Sequence, residues 1–313
     1  MRGTLLYMGQ RLVLIAITTI LVSSIVFLLL HQIPGNAFLN ETRQTALSLA
    51  ADLHHYGLDV SLQQQYLNWV GGVLHGSLGE SLVNRGVKIT PLLIRETSVS
   101  ATVGFFALLV TVGLGLTLGV IAALRQNTWI DYTASSAAVV GYSIPSFVIA
   151  IFGLLIFGHY LYIWTGGSVF YSPGWGDWTQ VPLPAIALGL PYASYVARLT
   201  RASMLETIRT DYVRTAWAKG LKARVVVLRH ALRNALIPVV TILGPLITGI
   251  ITGSVVIENI FGIPGLGKEF VTSILARDYN IVIGVFTFYA ALVGLANLLV
   301  DVIYPVLDPR IRY

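Results

Sequence analysis

The chain has 313 residues, of which 55% are hydrophobic and only 11% are charged, with a net charge of +6 and no cysteine. Its mean hydropathy of +0.76 lies far above that of soluble domains and excludes an ordinary water-soluble protein. The lack of cysteine excludes a disulfide framework and thiolate metal sites.

Six apolar runs are candidate transmembrane helices, since about 17–25 residues are needed to cross the hydrocarbon core of a bilayer. The fourth run is the weakest, because Pro182, Pro184 and Pro191 interrupt it. There we expect either a kinked helix facing a cavity or a buried re-entrant segment. The predicted fold is an all-α polytopic membrane protein with about six spans. The runs cover residues 12–30, 98–124, 132–157, 182–197, 238–256 and 281–304.

The first run raises the question of a cleaved signal peptide, because Arg2 and Arg11 precede it. However, the run is about as long as a complete span, and no small-residue cleavage motif of the A-x-A type follows it. We therefore predict an uncleaved transmembrane helix within residues 1–32.

Residues 33–97 are polar enough to form a small extracytoplasmic insertion between the first two spans. Within this region Ser61 precedes apolar residues at helical spacing, among them Leu62, Tyr66 and Val70. A capping residue followed by this spacing predicts an amphipathic helix.

Positive charge is concentrated between the fourth and fifth runs. Nine of the twenty lysines and arginines lie between Arg198 and Arg233, beside only two acids. Basic loops next to spans favour the cytoplasmic side. We therefore predict a cytoplasmic loop over 198–237, within a core domain covering 98–313, and we place both chain ends in the cytoplasm. Orientation also accounts for the basic isoelectric point, so no nucleic-acid partner is predicted.

Part of this loop is predicted to form a short helix. Asp211 suits the helix start, where exposed amide groups favour negative charge, and Gly220 supplies a left-handed stop. Between them Val213, Ala216 and Trp217 share one face at helical spacing. An apolar face with a tryptophan, in a cationic loop, indicates that a partner's groove covers this face.

The chain lacks the patterns of common enzymes. The segment Gly262–Lys268 fits part of a phosphate-binding loop, but Glu269 stands where the magnesium-binding Ser or Thr belongs, and no buried strand precedes the segment. The six histidines show no metal-ligand spacing. We therefore predict a non-enzyme with no metal site.

The short helix resembles the EAA signature, the cytoplasmic motif of permease subunits in binding-protein-dependent ABC importers, particularly those of the dipeptide/oligopeptide/nickel permease family. The pattern Glu-Ala-Ala-x-x-x-Gly falls on Arg214, Thr215, Ala216 and Gly220, so its glutamate and first alanine are replaced. The closing Ile/Leu-Pro is similar to Ile237-Pro238 but lies several residues later. Both departures are familiar in the peptide and nickel branch.

Other family-like runs are spread along nearly the whole chain, so the resemblance implies the fold of a type I ABC importer permease. They include Gly57-Leu58-Asp59, Ser143-Ile144-Pro145-Ser146-Phe147, Arg229-His230-Ala231-Leu232-Arg233-Asn234-Ala235, Glu258-Asn259-Ile260-Phe261 and Asp308-Pro309-Arg310.

The resemblance implies that the chemistry lies in other chains. A homologous second permease subunit would complete the translocation pathway through the lipid of the cell membrane. Two cytosolic ATPase subunits would bind ATP and Mg, an extracytoplasmic substrate-binding protein would deliver the substrate, and this chain would bind no cofactor. The short helix would be the coupling helix, seated in one ATPase. Its candidate residues are Asp211, Arg214, Thr215, Ala216, Trp217, Lys219 and Gly220.

The substrate stays open between short peptides and nickel, and the scarcity of soft ligands favours peptides. A secondary transporter or channel would need intramembrane charges or inverted repeats, which the sequence does not clearly show. A membrane anchor for a cytosolic complex is a third class, but it does not explain polar residues inside the spans. Those residues, predicted to line a pathway, are Tyr142, Ser143, Ser146, Tyr192, Ser194 and Tyr195.

Overall fold

The computed structural model describes residues 2–33, 46–166 and 173–307. This part of the chain is helical, with no β-strand beyond an isolated antiparallel bridge between Glu80 and Lys88. Two helices contain a π-helical stretch, α6 over Leu154–Tyr160 and α9 over Val226–Leu232. The helices are α1 Arg2–Gln32, α2 Ala46–His55, α3 Leu62–Leu74, α4 Ile89–Leu124, α5 Trp129–Ser143, α6 Ser146–Trp164, α7 Pro182–Ile208, α8 Asp211–Ala218, α9 223–235, α10 Ile237–Thr241, α11 Leu243–Phe261, α12 Leu266–Ala276 and α13 Tyr279–Leu307.

Five of the described helices are long and apolar enough to cross a membrane: α1, α4, α6, α11 and α13. The fourth predicted run lies in α7, which is not among these five helices. α7 continues through Pro191 as one helix of 27 residues. Pro182 and Pro184 stand in its first turn, where a helix tolerates proline because those amide groups have no partner within the helix. The prolines therefore begin the helix instead of breaking it.

The third predicted run, 132–157, is two helices. α5 ends at Ser143, and Ile144 is extended with a ψ angle of 123° before α6 begins at Ser146. Pro145 explains this break, since proline donates no amide hydrogen and disfavours helical geometry in the residue before it. The prediction of a single span here was wrong.

By its internal contacts the chain divides into two compact units, and unit 1 comprises residues 1–100 and 264–295. Its apolar core includes Leu78, Ile89 and Leu93. The predicted amphipathic helix is present as α3, and the Ser61 hydroxyl accepts a hydrogen bond from the backbone N–H of Gln64. The capped start predicted for this helix is confirmed.

Unit 2 comprises residues 101–263 and 296–313. Within it α4 and α7 approach closely through glycines. A methyl group at Gly115 would overlap the side chain of Val196, and one at Gly119 would overlap the backbone of Ala197. Small residues four apart on one face permit such an approach between membrane helices.

Candidate functional site

The short helix predicted in the basic segment is present as α8, Asp211–Ala218. Asp211 is its first residue, and the backbone N–H of Lys219 donates to Thr215 as the helix ends. Gly220 follows with a φ angle of 72°, in the left-handed region that favours glycine. The predicted boundaries of this helix are confirmed.

The apolar face of α8 is covered by the chain itself. Val213 is fully buried and Ala216 is 4% exposed, and both pack in a cluster with Met204, Val226 and Ala231. A partner's groove therefore does not cover these two side chains, and that part of the expectation was wrong. Their periodicity reflects packing of α8 on its own unit.

The outer side of α8 carries most of the predicted coupling residues. Trp217 is 47% exposed, unlike the two buried positions beside it. Arg214 lies 3.6 Å from Asp211 in an exposed ion pair, which contributes little stability because solvent screens it. The surface available to a partner is formed by Asp211, Arg214, Thr215, Trp217, Lys219 and Gly220, all of which are exposed.

The segment around α8 is more helical than the predicted loop over 198–237. α7 extends to Ile208, so Arg198 and Arg201 lie on that helix rather than in a loop. The side-chain amide of Asn234 in α9 donates to the Tyr212 hydroxyl at 2.7 Å and ties α9 to α8. α8 is thus held between two helices of its own unit.

The predicted pathway residues fall into two groups, the first beside the α5–α6 break. Tyr142 and Ser143 end α5, and Ser146 begins α6. Tyr142 and Ser143 are exposed and Ser146 is half-buried. The ring of Tyr195 in α7 lies 5.8 Å from that of Tyr142, so the break brings four of the six residues together.

The other two pathway candidates are set differently. Ser194 is buried, and its hydroxyl donates to the carbonyl oxygen of Leu190. It also packs closely on Gly141, because a methyl group at Gly141 would overlap the Ser194 hydroxyl. Tyr192 is half-buried beside Gly249. Ser194 therefore serves helix packing in this structure.

The segment resembling a phosphate-binding loop is a turn between helices. Gly262, with a φ angle of 68°, caps α11, and α12 begins at Leu266. Burial raises the pKa of the Glu269 carboxyl in the first turn of α12. The segment is therefore a turn that leads into the first turn of α12, and not a phosphate-binding loop.

Sequence reasoning missed an ion pair in unit 2 whose aspartate is buried. Arg201 of α7 contacts the carboxylate of Asp131 in α5 at 2.6 Å. The partners are 70 residues apart, and no local pattern links them. The only signal in the sequence is an acid placed just before an apolar run.

Together the spans and α8 define a multi-pass membrane protein with a short helix, set in a basic segment, outside its spans. Residues 115–313 match the family described as binding-protein-dependent transport system inner membrane component, and the chain belongs to that family. It is accordingly the permease component of an ABC importer and not an enzyme.

Two relatives match over nearly their whole length. The dipeptide transport system permease protein DppB of Bacillus subtilis (strain 168) is 41% identical, covering 98% of this chain and 97% of that protein. The oligopeptide transport system permease protein OppB of Escherichia coli (strain K12) is 40% identical, with 95% of each chain covered.

Solved structures support the fold. The chain resembles a subunit of the MetNI methionine ABC transporter in inward-facing conformations, with a TM-score of 0.58, 19% identity and coverage of 70% of this chain and 98% of that chain. An amino acid ABC transporter gives a TM-score of 0.51, 19% identity and coverage of 69% and 94%.

Proposed function

We propose that this chain is one of two homologous permease subunits forming the membrane pathway of a peptide importer. The observation that supports this proposal most is the near-complete match, at about 40% identity, to permeases named for dipeptide and oligopeptide transport. The same relatives favour peptides over nickel. Two cytosolic ATPase subunits would hydrolyse Mg-bound ATP, and a binding protein outside the membrane would supply the peptide.

In this proposal α8 is the coupling helix, and its exposed side contacts one ATPase. In the same proposal α8 and both chain ends lie in the cytoplasm, and the preference of basic segments next to spans for that side supports this orientation. Trp217 is the natural centre of the contact, because a half-exposed tryptophan flanked by charged side chains is typical of interface anchors. Ala216 does not take part in this contact, because it is buried within the permease.

Cysteine crosslinking tests the placement of α8 without interference, because the chain has no cysteine. Trp217→Cys in the assembled transporter is expected to capture the ATPase when it is labelled with a reagent that has one thiol-reactive and one photoreactive end and is then illuminated. Leu74→Cys, at a position 77% exposed in the predicted extracytoplasmic region, is the matched control. Capture from Leu74→Cys, or none from Trp217→Cys, would contradict the proposed orientation.

Reconstitution tests the substrate. Proteoliposomes that contain the two permeases, the ATPases and the binding protein are expected to accumulate di- and oligopeptides only when ATP is supplied on the ATPase side. A mixture of peptides and Ni²⁺, analysed by mass spectrometry, separates the two substrate classes. Uptake by this chain alone under an ion gradient would instead support a secondary transporter.

A further inference from the structure

The cytoplasmic half of unit 2, in the proposed orientation, contains a buried carboxylate whose cationic partner comes from a different helix. Asp131 is 1% exposed. The guanidinium of Arg201 donates to it twice, from Nε at 2.6 Å and from Nη2 at 2.7 Å. Two parallel charge-assisted bonds fix both the distance and the orientation between α5 and α7.

The same carboxylate also organises the start of α5. The backbone N–H of Asn127 donates to it at 3.0 Å, and the Ser135 hydroxyl donates at 3.3 Å. Asn127 has a φ angle of 62°, a left-handed conformation that asparagine adopts more readily than most residues. Asp131 therefore joins the α4–α5 turn, the first turns of α5 and the side of α7.

The far end of α5 is fastened to α7 as well. The guanidinium of Arg198 lies over the ring of Tyr142, 5.1 Å from its centroid. Tyr142 also contacts the ring of Tyr195, and Gly141 packs directly on Ser194. α5 thus runs antiparallel to α7 with contacts at both ends, so a displacement of α7 carries α5 with it.

These two helices lie between α8 and the α5–α6 break. α7 ends at Ile208, and α8 begins only three residues later at Asp211. At its other end, α5 stops at Ser143, where Pro145 interrupts the helical hydrogen bonds. The interruption leaves α5 and α6 without a continuous helical hydrogen-bond pattern, so it is a point at which the two helices can change their relative direction.

We propose that Asp131 and Arg201 are positioning residues that make α5 follow α7 when the ATPases displace α8, so that the movement reaches the Ile144–Pro145 break. The inference rests on the proposed function, since it requires α8 to receive the movement. Without the pair, α7 still responds to α8, but the start of α5 is released. ATP hydrolysis then continues while fewer substrate molecules cross per ATP.

Asp131→Asn tests the link in the complete reconstituted transporter. The substitution keeps the size of the side chain and removes its charge. The expected result is a fall of about tenfold or more in peptide uptake per ATP hydrolysed, because a charge-assisted pair loses most of its strength. The same preparation is used to measure the amount of assembled complex, its thermal unfolding midpoint and its ATPase rate. ATP hydrolysis is expected to persist.

The control is an ion pair in unit 1, which does not lie between α8 and the α5–α6 break. Arg85 contacts Asp52 at 2.6 Å within unit 1, and Asp52→Asn is expected to leave uptake per ATP unchanged. If Asp131→Asn behaves like Asp52→Asn, or if its uptake and hydrolysis fall only in proportion to assembled complex, the inference is overturned.

A second variant keeps the test decisive if Asp131→Asn assembles poorly. Arg201→Lys retains the positive charge but loses the paired geometry of the guanidinium, and an intermediate loss of uptake per ATP is expected. An unchanged ratio in Arg201→Lys would overturn the inference. Measurements on the wild-type complex distinguish failure of this inference from failure of the proposed function. A wild-type complex without ATP-driven uptake would contradict the proposed function itself.

Discussion

Two buried aspartates, one in each unit, use the same chemistry for different purposes. Asp278 and Asp131 are both 1% exposed, and each carboxylate accepts four hydrogen bonds. The donors to Asp278 are neutral: the hydroxyl of Ser81 and the amides of Leu82, Val83 and Ile281. The donors to Asp131 include the guanidinium of Arg201.

The type of donor distinguishes an aspartate that stabilises one region of its unit from an aspartate that links two helices. Asp278 caps α13, because it accepts from the Ile281 amide, and it shapes the turn that begins at Ser81. Its other donors come from that one turn, so it fixes unit 1 locally. Asp131 instead meets a long side chain from a separate helix that leads to α8. We expect Asp278 to govern stability and Asp131 to govern coupling.

Asp278→Ala is expected to have the largest effect on stability. It leaves four donors without their acceptor, three of them on buried residues, which should cost about 3–5 kcal/mol. The measurement is the thermal unfolding midpoint of the purified transporter in detergent, together with its yield. The complex that does assemble should keep the wild-type uptake per ATP. A lowered ratio with normal stability would reverse the roles assigned to the two aspartates.

The sequence predicts α3 and α8 well because their signals are local. Ser61 and Asp211 mark the helix starts, and Gly220 marks an end, so each boundary depends on neighbouring residues alone. The sequence also shows an apolar face on α8. It does not show what covers that face, because the residues that bury Val213 come from other helices.

The long-range pairs are beyond such reasoning. Ser81 and Asp278 are 197 positions apart, and Asp131 and Arg201 are 70 apart. Hydrophobic periodicity tells which residues face a core but not which polar residues meet there. The α5–α6 break is different, since Pro145 indicates it directly; the prediction of one span gave more weight to apolar length than to the residue before proline.

Ser81→Ala should have an intermediate effect, because it removes one of the four donors to Asp278 and also the acceptor of the Asn84 backbone N–H. The loss of a hydrogen bond to a charged group is expected to lower the stability of the transporter by about 1.5–3 kcal/mol. Ser77 is the matched control, since it lies in the same region but is exposed. Ser77→Ala should change stability by less than about 0.5 kcal/mol. Equal unfolding midpoints for the two variants would show that the Ser81–Asp278 bond does not stabilise unit 1.

Ser135→Ala should have the smallest effect, and it distinguishes the ion pair from the rest of the Asp131 cluster. Ser135 donates the longest of the four hydrogen bonds to Asp131, at 3.3 Å, and its removal leaves both contacts with Arg201 in place. The expected loss of stability is about 0.5–1 kcal/mol, and uptake per ATP should stay within about twofold of wild type. A fall as large as that of Asp131→Asn would mean that the geometry of the whole cluster, and not the bond between α5 and α7, controls coupling.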